Sequence, residues 1–343
     1  MMKRRIEPAA VAILLWITPS IAANEPLKPL PAWDQIMTTA AEHSRAGRYA
    51  AAESAYLEAL SLAETLPKAD PRVGHTYNGL CAVTYELGRS EAAEKYCTRA
   101  LREQERQPPS PLTRLNSVNS LHLLVTIHIQ SGRISSAKQY LARFADGIRE
   151  LEGHGVPEAM AKLRGILHYD LGFIDFIAGR MDPAEVSFRA ALTEFLTDPV
   201  ENVNVMATTL SHLSSLCIRR KAYADAESYA HQAISSLTSR YGPNHPEIVR
   251  DLHNLAMIYA STDRPSEAEK ALLQAFPIIK ATFGPDDVSV GQLSATYAKV
   301  LRQLGRKEEA KVMRQRAEEI ARATEDPAKP GRYVVDVQSL MKR

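Results

Sequence analysis

Residues 255–275 read LAMIYASTDRPSEAEKALLQA. Apolar side chains recur at steps of three and four on both sides of Asp263-Arg264: Leu255, Ile258 and Tyr259 before it, Ala268, Ala271, Leu272 and Ala275 after it. That spacing puts each set on one face of an α-helix. A break too short for anything but a turn joins the two as an antiparallel hairpin.

The same arrangement recurs outward along the chain, anchored on a Gly-Arg turn at Gly47-Arg48, Gly88-Arg89, Gly132-Arg133, Gly179-Arg180 and Gly305-Arg306. Two copies have drifted, to Lys221-Ala222 and Asp263-Arg264, and successive anchors lie 41, 44, 47, 42, 42 and 42 residues apart. Five residues after each anchor stand Ala52, Ala93, Ala137, Ala184, Ala226, Ala268 and Ala310. Twelve after it stand Ala59, Ala100, Phe144, Ala191, Ala233, Ala275 and Ala317; seven before it stand Ala40, Cys81, Val125, Gly172, Ser214, Ala256 and Ala298. Small residues belong where two helix backbones approach most closely. A lone hairpin cannot bury its apolar face, so neighbouring copies must stack.

The pattern of small residue, Gly turn, Ala, aromatic, Ala resembles the tetratricopeptide repeat, as at Gly47-Arg48-Tyr49, Ala52, Tyr56 and Ala59 and at Tyr259, Ala268 and Ala275. The long period resembles the 42-residue variety of kinesin light chains and bacterial repeat proteins. Tyr241-Gly242-Pro243-Asn244-His245-Pro246 and Phe283-Gly284-Pro285-Asp286-Asp287, 42 residues apart, fit that variety. Val125 and Phe144 depart from it in the third copy. The resemblance implies an all-α fold, a right-handed α-solenoid of about seven antiparallel helix pairs over residues 33–322.

Helix-favouring composition agrees: aromatics are 6% and apolar residues 45% of the 343-residue chain. Residues 1–23 carry Lys3, Arg4 and Arg5, an apolar run from Ala9 to Thr18, and a small-residue exit at Ala22-Ala23. This reads as a secretory signal, with cleavage after Ala22 or Ala23 and an uncleaved anchor as the alternative. Its removal leaves 39 basic and 39 acidic residues, no field for nucleic acid and no membrane span. A linker is expected over residues 24–32 and a mostly disordered tail over 323–343. The expected location is periplasmic or secreted.

No phosphate loop, HExxH or GxSxG motif is present, so no catalytic, cofactor or metal residues are assigned. Cys81 and Cys97 fall in the two helices of one hairpin, either as small core residues or as a disulfide that an oxidising compartment permits. The family resemblance implies that the first helix of each pair lines a concave surface that takes a protein or peptide. Carried over by offset, that surface includes Asn78, His122 and His253, and the aromatic set Tyr169, Phe173 and Phe176, which is either buried by stacking or an exposed anchor. Arg219, Arg250, Lys299 and Arg302 would suit an acidic segment or a C-terminal carboxylate. The sequence thus reads as a non-enzymatic interaction scaffold, with a self-assembling envelope protein as the alternative and a hydrolase or transferase without a motif. It leaves the partner and the oligomeric state open.

Overall fold

The computed structural model describes residues 30–67, 70–152 and 157–324; the signal-like segment and the tail from residue 325 lie outside them. The described residues form fourteen α-helices in order: α1 (Pro31–Arg45), α2 (Tyr49–Ala63), α3 (Pro71–Glu86), α4 (Ser90–Glu105), α5 (Pro111–Gln130), α6 (Ile134–Glu152) and α7 (Pro157–Ile177). There follow α8 (Met181–Phe195), α9 (Val203–Arg219), α10 (Tyr223–Tyr241), α11 (Ile248–Ser261), α12 (Pro265–Phe283), α13 (Val288–Gln303) and α14 (Lys307–Thr324). The helical part begins two residues before the expected boundary because Pro31 starts α1, where a missing N–H costs nothing. Packing divides the chain into two compact units that meet between Ile174 and Asp175, inside α7.

Every turn anchor takes the left-handed conformation. Gly47, Gly88, Gly132, Gly179 and Gly305 have φ between 69° and 80°, and the drifted copies Lys221 and Asp263 have φ of 60° and 58°. In each copy the next residue's N–H reaches the carbonyl five residues back: Arg48 to His43 (2.9 Å), Arg133 to His128 (2.8 Å), Ala222 to Cys217 (2.9 Å), Arg264 to Tyr259 (2.8 Å). This closes the helix C-terminus and reverses the chain. Three starts are capped by side chains. Asp70 Oδ1 accepts from Arg72 N (3.0 Å), Ser110 Oγ accepts from Thr113 N (3.1 Å), and Asp287 Oδ1 accepts from Ser289 N (2.9 Å).

Apart from the half-buried Ala317, the alanine columns are buried. Ala52, Ala93, Ala137, Ala184, Ala226 and Ala268 have no exposed surface, nor do Ala59, Ala100, Ala191, Ala233 and Ala275. Phe144 is equally buried in the second column, and Gly147 on the same helix leaves room for Val118, which an added Cβ would meet at 2.7 Å. In the first unit α1 pairs with α2, α3 with α4 and α5 with α6; in the second α9 pairs with α10, α11 with α12 and α13 with α14. The odd-numbered helix of each pair (the A helix) also touches the next A helix, α1–α3 and α3–α5 in one unit, α9–α11 and α11–α13 in the other. The even-numbered B helices wedge between successive A helices. Each unit therefore has an inner A layer.

Cys81 and Cys97 form a disulfide across α3 and α4, with Cα atoms 5.2 Å apart. Cys217 is a buried free thiol. Left-handed lysine is strained by the clash of its Cβ, so Lys221→Gly is expected to raise stability by about 1 kcal/mol, read as a shift of the urea unfolding midpoint. A lower midpoint would show that the turn does not carry this strain.

Candidate functional site

The two layers differ in how their charges are satisfied. On the B side, arginines at or beside the turns bond acids one repeat earlier: Arg89 to Glu53 (2.5 Å), Arg133 to Glu94 (2.5 Å), Arg264 to Glu227 (2.6 Å) and Arg306 to Glu269 (2.5 Å). Arg220 joins the series through Glu185 and Asp182. The acceptor is the residue directly after the first alanine column, and the Ala-Glu pairs at 52–53, 93–94, 184–185, 226–227 and 268–269 mark it. Lys138 holds that place in the third copy, and Arg180 bonds Asp175 instead. This ladder was readable in the sequence as Ala-Glu one repeat before Arg.

The A layer of the second unit is different. Helices α9, α11 and α13 carry Arg219, Arg250, Lys299 and Arg302 but a single carboxylate, Asp251. Asp251 is buried and accepts from Ser211 Oγ (2.8 Å), while Arg250 Nη2 donates to the same hydroxyl (3.1 Å). Arg219 is half-buried, its guanidinium 5.1 Å from the Phe176 ring centre and its Nη1 3.6 Å from Met181 Sδ. Desolvation alone pulls its pKa below the usual arginine value, with no carboxylate offsetting it. Arg302 and Lys299 are exposed; Arg302 Nε lies 3.4 Å from the Ala298 carbonyl of its own helix. His253 Nε2 is 2.7 Å from Thr296 Oγ1 on the neighbouring A helix.

Of the two readings of the aromatic set, burial is the one observed: Tyr169 is 8%, Phe173 3% and Phe176 2% exposed. Tyr169 and Phe173 stack on one another in the first unit, ring centres 6.2 Å apart. In the second, Phe176 packs edge-on to Phe188 and His212 at 6.4 and 5.9 Å. Asn78 and His122 are buried as well. Asn78 Nδ2 donates to the Asn116 carbonyl (3.0 Å), and His122 Nδ1 meets Asp170 Oδ2 (3.0 Å). The reason is common to those two: successive A helices touch, so a side chain at the seam is covered by its neighbour. Of the ten expected groove residues, the cations and His253 remain at the surface or half-buried.

His212 is buried beside Arg250. Burial, then repulsion from Arg250, brings its pKa down to about 3, although its Nδ1–H bonds the Thr208 carbonyl (2.8 Å). Burial likewise lowers His75 and His245. A histidine whose folded pKa is depressed leaves stability intact above pH 6.5, its unfolded value, and removes it as pH falls from 6.5 toward 3. From pH 7 to 5, His212 is expected to account for a loss of about 2 kcal/mol, measured by urea unfolding at both pH values. His212→Asn should lose that much less, and an equal loss in the variant would contradict the assignment.

Among known proteins, the tetratricopeptide repeat family model matches residues 205–281 and 252–323. Protein KINESIN LIGHT CHAIN-RELATED 1 of Arabidopsis thaliana is 25% identical over 256 residues, 72% of this chain and 39% of its own length. Protein KINESIN LIGHT CHAIN-RELATED 3 of the same plant is 21% identical over 262 residues, 75% of this chain and 39% of its own. The chain thus spans about two fifths of these relatives. In structure it resembles BtubC (BKLC) from P. vanneervenii, with TM-score 0.56, 18% identity, and coverage of 72% of this chain and 98% of that one. It also resembles NprR in complex with its cognate peptide NprX, with TM-score 0.58, 13% identity, and coverage of 86% and 78%. The fold is a tetratricopeptide-repeat solenoid. Among the described residues no helix is long and apolar enough to cross a membrane.

Proposed function

We propose that this chain is a non-catalytic scaffold of the cell envelope, and that the A layer of its second unit captures an acidic segment or free C-terminal carboxylate of a partner protein. One observation carries the reading. Arg219 and Arg302 have no carboxylate among the described residues, whereas Arg89, Arg133, Arg220, Arg264 and Arg306 of the B side are each paired with one. A half-buried guanidinium without a counter-charge is costly alone and well matched to a bidentate carboxylate. Similar folds that hold a peptide, as in the complex of NprR with NprX, support the choice of ligand. Export is supported by the signal-like residues 1–23 and by the Cys81–Cys97 disulfide, a bond that persists in oxidising compartments.

The test uses fluorescent decapeptides rich in Asp and Glu, with free or amidated C-termini, titrated against the full chain by anisotropy. Arg302→Glu together with Arg219→Gln is expected to weaken binding at least tenfold with unchanged helicity, and added salt to weaken wild-type binding. Undiminished binding by the double variant would overturn the assignment. For the location, intact mass from the native envelope fraction should lack residues 1–22 or 1–23 and lie two hydrogens below the reduced form. A full-length reduced chain would refute export.

A further inference from the structure

Sixteen residues after each small residue of the column that precedes the turn stands a residue of the second helix: Tyr56 after Ala40, Leu141 after Val125, Phe188 after Gly172 and Leu272 after Ala256. Those four are large and buried. The first copy shows their use, since Tyr56 closes a core with Ala40, Ala52, Leu80 and Val83. A small residue on one helix admits a large one from its partner, and the space between them is filled. Arg314, at this place in the last copy, is exposed. In the two remaining copies the place holds Cys97 or Ala230, and a tie between the helices stands where the volume is missing. In the copy with Ala230, Ser214 Oγ donates to the Ala226 carbonyl from α9 to α10 (2.8 Å). In the other, Cys81 and Cys97 are joined across α3 and α4.

This second hairpin also holds α5. Ser120 Oγ of α5 lies within hydrogen-bond reach of Asn78 Oδ1 on α3 and Gln104 Oε1 on α4, and Asn78 Nδ2 donates to the Asn116 carbonyl (3.0 Å). Ser120, Asn78 and Gln104 are buried, so a change in the spacing of α3 and α4 breaks polar contacts where water does not replace them. Nor can α3 collapse onto α4 to make up lost volume. Tyr56 lies against the bare backbone of Gly79, where an added Cβ would meet its ring at 2.4 Å, and moving α3 would open a gap behind it. The spacing of this hairpin is therefore set by the bond.

We propose that thiol oxidation is a required step in closing the first unit, and that the reduced chain is the substrate of a disulfide-bearing exchange partner. One cysteine thiolate attacks the partner's disulfide, forming a mixed disulfide and releasing one partner thiolate. The other cysteine thiolate then displaces the second. Two thiols lose two protons and two electrons, and the partner's disulfide becomes two thiols. Cys81 and Cys97 are both fully enclosed in the finished fold, so exchange acts on the open hairpin and not on the closed one. Cys217, a buried free thiol of the second unit, takes no part. The inference goes beyond the ligand reading and needs none of its cations.

The experiment unfolds the full chain in urea with dithiothreitol and refolds it with either that reductant or glutathione disulfide, followed by amide hydrogen exchange read by mass spectrometry. After refolding with the reductant, amides of α3, α4 and α5 are expected to exchange about tenfold faster than after refolding with the oxidant, while those of α9 to α14 exchange alike. Cys81→Ser with Cys97→Ser should exchange fast under both conditions. Cys81→Ala with Cys97→Leu, which copies the pair at Ala256 and Leu272, should exchange slowly under both. Equal protection of the unsubstituted chain with and without oxidant would overturn the proposal, and so would a second double variant as labile as the first. Every variant keeps Arg219 and Arg302, so acidic-decapeptide binding reports on the ligand reading separately.

Discussion

Close approach of helix backbones at the alanine columns is the constraint from which the rest of this structure follows. A side chain larger than a methyl at Ala184, Ala226 or Ala268 would hold the two helices of a hairpin apart, because these positions are completely enclosed. With the backbones close, the flanking larger residues interdigitate, and each B helix can wedge against the A helix that follows. The A helices are thereby brought into contact with one another. Burial of Asn78 and His122, and the exposure of Arg302, are consequences of that spacing.

Charge is arranged to suit the two layers. Ion pairs of the B side are partly exposed, and each contributes little to stability. Their regular repetition nevertheless keeps Arg89, Arg133, Arg220, Arg264 and Arg306 occupied, so those cations do not compete for an acidic ligand. Helices α9, α11 and α13 contain one carboxylate, Asp251, and it is committed to Ser211. Arg219, resting on Phe176 and partly desolvated, has no carboxylate beside it among the described residues. Electrostatic contrast between the layers, more than pocket shape, gives the inner face its proposed selectivity.

Repetition is what made the fold legible. The 3.6-residue periodicity, the turn anchors and three columns of small residues appear in the sequence as copies of one another, and the structure places the drifted anchors Lys221 and Asp263 in the same left-handed turn as the glycines. The candidate site was legible only in part. Cations could be assigned to inner faces by offset, but whether Tyr169, Phe173 and Phe176 are covered depends on neighbouring helices, which a single helix's spacing does not report. Pairing of His122 with Asp170 spans 48 residues and has no local signature. The disulfide was visible as a geometric option between two helices of one hairpin, and only three-dimensional distance decides it. The division inside α7 left no mark, since the helical pattern runs through it.

The most direct measurement is the stability of Ala268→Leu against Ala281→Leu, the second lying on the exposed end of the same helix α12. By urea unfolding followed by circular dichroism, overpacking at Ala268 is expected to cost about 1–3 kcal/mol, with the control near wild type. Equal stability of the two variants would mean that the helices do not meet at the alanine column, and would contradict the packing on which the inner layer rests.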